Sequence, residues 1–238
     1  MMNGLITTLM QAGVLVAFGV LGAFLFRRDF RLLWFIGAVV LFLVYAALLT
    51  RGFWTLPRLF PEADWHWTGK IFSFIGMLIV ASLPIFGLKR TGLTLSQGPK
   101  PWPAFLLFFV LSGLFFYMAI SGADGRDDWE TIAFQWTMPG LDEELFFRGV
   151  FLVALNEAFR SRVSVLGAPI GYGGLLTSLV FGLVHALNYT SAGVSFELMA
   201  FVVTGLPSLI LLWLRERTGS LLLPILGHNI SNGASTLF

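Results

Sequence analysis

The run LLWFIGAVVLFLVYAALLT, residues 32–50, holds nineteen residues without a single charge. Wound as an α-helix at 1.5 Å per residue it reaches about 28 Å, close to the hydrocarbon thickness of a bilayer. It is continuous rather than alternating, and far longer than the 9–11 residues of a membrane barrel strand, so it reads as a spanning helix. The same reading works outward in both directions. Further runs of this kind occupy residues 4–26, 71–88, 103–120, 139–159, 172–188, 196–214 and 219–237. The fold expected is all-α, a polytopic transmembrane bundle of about eight helices forming one integral membrane domain over 1–238.

Composition supports that reading. Of 238 residues, 57% are hydrophobic and 12% charged, with mean hydropathy +0.83. A soluble domain carries about 25% charged residues, so lipid must cover the surplus apolar surface. A net charge of +2 gives no grip on nucleic acid, and none is expected as a partner. The chain has no cysteine, which excludes disulfides, thiolate metal sites and a cysteine nucleophile. The first run lacks a basic leader and a small-x-small cleavage site, so it reads as a retained span. Thr218-Gly219 reads as a helix stop and restart, and Pro224 as a kink in the last span. Trp54, Trp65 and Trp67 read as an interfacial belt.

Lys and Arg counts set the orientation. With the N-terminus outside, the inner loops hold residues 27, 28, 31, 89, 90, 100, 160, 162, 215 and 217, and the outer loops hold 51, 58, 70 and 126. Ten cations against four put both termini outside.

Ionisable groups within spans are costly and need a reason. The fifth span opens Pro139-Gly140-Leu141-Asp142-Glu143-Glu144 and continues to Arg148. Pro-Gly sets a helix start, where the dipole favours carboxylates. Glu144 and Arg148 are four apart in the favourable order, while Glu143 lies about 100° around the helix. One Arg beside two acids leaves a carboxylate uncompensated, the state a general base requires. A structural ion pair at a helix end is the plainer explanation for that span alone. The sixth span carries Phe181…His185 and the eighth His228-Asn229-Ile230-Ser231-Asn232. His228 and Asn232 face one way; Asn229 and Ser231 read equally well as interhelical glue. At 1.5 Å per residue, Glu143, His185 and Asn232 stand roughly 20–25 Å from the inner ends of their helices. They therefore fall in one layer, near the outer third of the bilayer.

At these positions the sequence resembles the CAAX-protease and bacteriocin-processing (Abi) family of intramembrane enzymes. That family's signature is Glu-Glu-x-x-x-Arg, then Phe-x-x-x-His, then His-x-x-x-Asn on successive membrane helices. Here the three read Glu143-Glu144…Arg148, Phe181…His185 and His228…Asn232, without substitution and in order, within residues 139–236. The resemblance implies a glutamate-dependent intramembrane protease acting on a membrane-embedded protein or peptide, in a bacterial inner membrane if the compact chain is bacterial. By analogy, Glu143 and His185 activate a water, His228 and Asn232 stabilise the oxyanion, and Arg148 holds Glu144. The expectation is a site without a cofactor. The alternative is zinc on Glu143, His185 and His228, two His and one Glu being a familiar zinc set; the absence of a His-Glu-x-x-His pattern weighs against it. A non-enzymatic immunity or scaffold protein of the same family, and a transporter, are the competing functions. Intact motifs speak against the first. Polar residues confined to the second half speak against the second, since transporters break helices in both halves.

Overall fold

The computed structural model describes residues 2–50 and 55–238; Arg51 and Trp54 lie outside them. Among the described residues the helices run α1 (Met2–Leu25), α2 (Leu32–Leu49), α3 (Trp67–Ser82), α4 (Trp102–Ser121), α5 (Trp129–Gln135), α6 (Met138–Glu144), α7 (Leu152–Ala158), α8 (Tyr172–Ala186), α9 (Leu198–Thr218) and α10 (Leu222–Gly233). A π-helical segment, Leu145–Phe151, joins α6 to α7 without a break, and a short 3₁₀ turn, Ala234–Leu237, follows α10. Each of the eight expected runs therefore contains a helix, and α5 is an addition.

One correction concerns the expected spans. Among the described residues only α1, α2, α4 and α9 are long and apolar enough to cross a membrane. Helices α3, α8 and α10 have 16, 15 and 12 residues. They carry the polar side chains of the interior and pack largely against protein, which relieves them of spanning hydrocarbon alone. The all-α expectation fits, with two short antiparallel hairpins set within the bundle. β1 (Arg162–Val165) pairs with β2 (Ala168–Gly171), and β3 (Leu187–Thr190) with β4 (Gly193–Phe196). The first turns at Leu166-Gly167, both with positive φ, as a two-residue hairpin of the right twist requires.

Local sequence explains the helix ends. Asp128 caps α5, accepting hydrogen bonds from the backbone N–H groups of Glu130 and Thr131. The Thr131 hydroxyl, then those N–H groups, hold its carboxyl below the usual carboxylate range. Gly219 ends α9 in the left-handed region (φ 72°), the stop read from the sequence. Pro224 sits in the first turn of α10, where no intrahelical N–H is needed, so it starts that helix instead of kinking it. Trp65 and Trp67 donate to Thr131 and Glu130, at 2.8 and 3.1 Å, and so tie the segment before α3 to α5.

The π segment is buried throughout and forms the centre of the core. Phe146 stacks on Tyr45 of α2 with ring centroids 3.9 Å apart, and Phe147 meets Phe181 of α8 edge-on at 5.0 Å. The periphery inverts this pattern. Phe24, Leu33 and Phe109 are 78%, 82% and 65% exposed, a large apolar surface that only lipid can cover.

Candidate active site

Helix α6 begins where Pro139 fixes the first turn, and it approaches α10 closely at Gly140. The Gly140 N–H donates to Asn229 Oδ1 at 2.8 Å, and a Cβ there would lie 2.5 Å from that oxygen and 2.6 Å from the Ile225 carbonyl. Asn229 is thus the interhelical glue that the sequence left open. This contact sets the three acids that follow against α3, α8 and α10.

Each acid faces a different way. Asp142 is buried and points to α2 and α3, accepting from Tyr45 Oη at 2.8 Å and Ser73 Oγ at 2.6 Å. Glu144 is buried, accepting from Arg148 Nη1 at 2.9 Å and bonding His228 Nδ1 at 2.7 Å. Arg148 reaches on to Ser208 Oγ at 2.8 Å and lies over the Phe181 ring, 4.3 Å from its centroid. Glu143, between them, borders a cavity of about 590 Å³. Its Oε1 accepts from Lys70 Nζ at 2.5 Å, and Lys70 also lies 3.1 Å from Asp142. Its Oε2 is buried without a hydrogen-bond partner. That oxygen lies 3.9 Å from His185 Nε2 and 4.0 Å from His228 Nε2.

The histidine rings are oriented by their other nitrogens. His185 Nδ1 is 2.8 Å from the Phe181 carbonyl, which can only accept, so Nδ1 carries a proton and, in the neutral ring, Nε2 holds the lone pair. His228 Nδ1 likewise donates to Glu144. Asn232, one turn beyond His228, is half-buried, and its Oδ1 accepts from Ser231 Oγ at 3.5 Å.

The structure therefore brings Glu143, Glu144, Arg148, Phe181, His185 and His228 together, with Asn232 adjacent on the same helix and not bonded to them. The expectation of an uncompensated acid is corrected: Lys70 compensates Glu143. By hydropathy the third span starts at residue 71, which leaves Lys70 in the outer loop. The helix starts at Trp67 and buries Lys70. Removing it from the outer count leaves three cations against ten. A signal was present in the sequence, since three consecutive acids with one Arg demand a second buried cation. Tyr45 and Ser73, the other supports of Asp142, were signalled only as hydroxyls within apolar runs.

The cavity is walled by α1, α2, α8 and the β3–β4 hairpin. Thr7 and Gln11 of α1 hold the outer edge of β3, accepting from Tyr189 N–H and donating to the Leu187 carbonyl, both at 2.9 Å. Together with Asn188 and Tyr189 they give the cavity polar walls, while Phe42, Leu49 and Val184 give it apolar ones.

Acids and histidines from α6, α8 and α10 thus meet beside a cavity in the interior of an apolar helical bundle. The family model described as Rce1-like, type II CAAX prenyl endopeptidase, matches residues 126–234, the segment that supplies α6, α8, α9 and α10. Over that segment, a little under half of the chain, the protein is similar to the CAAX protease family, and its long apolar helices are those of an integral membrane protein. No curated protein and no solved structure matches the chain.

Proposed function

We propose that this protein is an intramembrane endopeptidase of the glutamate type, in which Glu143 and His185 activate a water. One observation carries the reading: unpartnered Glu143 Oε2 faces the lone pair of His185 Nε2 across 3.9 Å. Two acceptors at that separation both fit around one oxygen at ordinary hydrogen-bond lengths of about 2.8 Å. A water held there gives both protons to acceptors and turns its lone pairs toward a carbonyl in the cavity. Lys70 fixes the other oxygen of Glu143 and so orients the base.

Asn232 and His228 are the proposed oxyanion donors. The Asn232 amide nitrogen donates to nothing among the described residues. His228 Nε2 can donate only while it carries a proton, with Nδ1 held against the Glu144 carboxylate. Arg148 positions Glu144, and Phe181 packs between Arg148 and both histidines.

The chemistry of the donor set favours a metal-free site. No three His, Asp or Glu side chains among the described residues are grouped to hold a metal ion, and the Lys70 ammonium already neutralises Glu143. A chelator tests the alternative of zinc on Glu143, His185 and His228. The mixed walls of the cavity suit an extended peptide segment of a membrane protein, with the whole chain acting as one domain. The cation count, now ten to three, supports termini outside a bacterial inner membrane and a catalytic layer near the outer face.

The test is cleavage of a membrane peptide by the purified protein. Glu143→Gln and His185→Ala should each lower the rate on the order of 10²–10⁴-fold, and a chelator should leave the wild type unchanged. Activity surviving both substitutions removes the proposal; chelator-sensitive activity with stoichiometric zinc replaces it with the metal reading.

A further inference from the structure

A second cavity, of about 490 Å³, opens at the cation-rich end of the bundle. Its walls come from the loop after α3, from α7, from β1 and from the last turn of α9. The hydrolytic site uses none of it.

Its charges do not balance. Arg215 is buried and donates from Nε to the Arg148 carbonyl at 3.1 Å and from Nη2 to the Arg90 carbonyl at 2.8 Å, yet it forms no ion pair among the described residues. The Lys89 side chain, on the rim, makes neither a hydrogen bond nor an ion pair among them. Glu157 is shared by three guanidiniums, those of Arg90 at 2.5 Å, Arg31 at 3.5 Å and Arg160 at 4.0 Å. Arg162 and Glu216 complete the ring. Four cations and two carboxylates thus line the cavity, and Arg31 and Arg160 share Glu157 from beyond its walls. The helix dipole explains basic residues in the last turn of α9, but it does not explain Lys89, Arg90 and Arg162, which belong to other segments. A buried guanidinium without a counter-charge is costly, and phosphate is its natural complement, matching the fork of N–H donors.

The same cavity also lacks donors. Asn156 donates its amide to Glu216 at 2.6 Å and Gln97 donates to the Leu95 carbonyl at 3.0 Å. Those bonds fix both amides and leave Asn156 Oδ1 and Gln97 Oε1 buried without partners. A ligand that satisfies the wall must bring an anion for the guanidiniums and hydroxyl donors for the two carbonyl oxygens.

We propose that this cavity binds a glycerol-phosphate group, the phosphate against Arg215 and Lys89 and the hydroxyls against Asn156 and Gln97. Basic pockets between membrane helices are suited to anionic headgroups, and a glycerol headgroup supplies both chemistries. Arg215 also bonds the backbone of Arg148, whose side chain holds Glu144, so occupancy braces the π segment from behind.

Native mass spectrometry of the detergent-purified full chain, titrated with single lipids, tests the proposal. Phosphatidylglycerol should bind more tightly than phosphatidic acid, and both more tightly than phosphatidylcholine. Lys89→Gln should weaken phosphatidylglycerol about fivefold and Lys89→Glu about 25-fold, at about 1 kcal/mol per charge; the exposed position spares the fold. Arg215→Gln should abolish binding, and if that variant does not fold the Lys89 pair still decides. Displacement of the lipid by soluble glycerol 1-phosphate assigns the site to a free phosphate, and no displacement assigns it to the bilayer. Equal binding of phosphatidylglycerol and phosphatidylcholine, or unchanged affinity in Lys89→Glu, overturns the site. Equal binding of phosphatidic acid overturns the role of the two carbonyls. Binding is read without catalysis, so the outcome is independent of the proposed protease activity.

Discussion

Glu143 and Glu144 are neighbours in sequence and opposites in setting. Glu144 is fully buried away from the cavity lining, with Oε1 shared by Arg148 and His228 and Oε2 without a partner. Glu143 has one oxygen clamped by Lys70 and the other without a hydrogen-bond partner, 3.9 and 4.0 Å from His185 and His228 Nε2. The 100° step of a helix turns adjacent identical side chains toward different partners. The difference teaches that the pair divides labour: one carboxylate organises the site and the other is left able to react.

That division can be broken first on the buried side. Arg148→Leu leaves Glu144 buried without its cation and should cost about 3–5 kcal/mol of stability, read as a lower midpoint in thermal or denaturant unfolding. Glu143→Gln keeps shape and hydrogen bonding at the cavity edge and should change the midpoint little while abolishing turnover. Equal destabilisation by both would erase the distinction. The comparison sharpens at Asn232, whose side chain makes one weak contact. Asn232→Ala should lower kcat about 10²–10³-fold, the worth of one oxyanion donor, with the unfolding midpoint unchanged. Loss of stability there would make Asn232 a packing residue.

The smallest effect lies outside the membrane, at the Asp128 cap of α5. Its carboxyl is held below the usual range in the folded state, so its contribution is full above the unfolded pKa, about 3.9. That contribution fades as pH falls through the lower folded value. Asp128→Ala should lower the unfolding midpoint slightly at neutral pH, and the gap from wild type should close below about pH 4. A gap that persists in acid would show that the cap does not act through its charge.

Hydropathy made most of the bundle legible, because a run such as residues 32–50 has one physical solution in lipid. The charged motifs also marked the segments that meet, since intramembrane ions must pair. What stayed hidden depended on three bodies or on short range. Lys70 looked like a loop residue until α3 was seen to start at Trp67, and its role needs Asp142 and Glu143 together. The hairpins at 162–171 and 187–196 are four-residue strands, too short for an alternating pattern. The π segment has no signature in residue spacing, although it contains Arg148. Pro224 reads the same way whether it starts a helix or kinks one, until the helix boundary is known.

The central claim is that Glu143 and His185 act as one unit on a single water. A double-mutant cycle in peptide cleavage tests it directly, comparing Glu143→Gln, His185→Ala and the two combined. Residues that serve one step are strongly non-additive, so the double variant should be no slower than the slower single variant. Losses that multiply would contradict the account, because the two side chains would then be contributing independently.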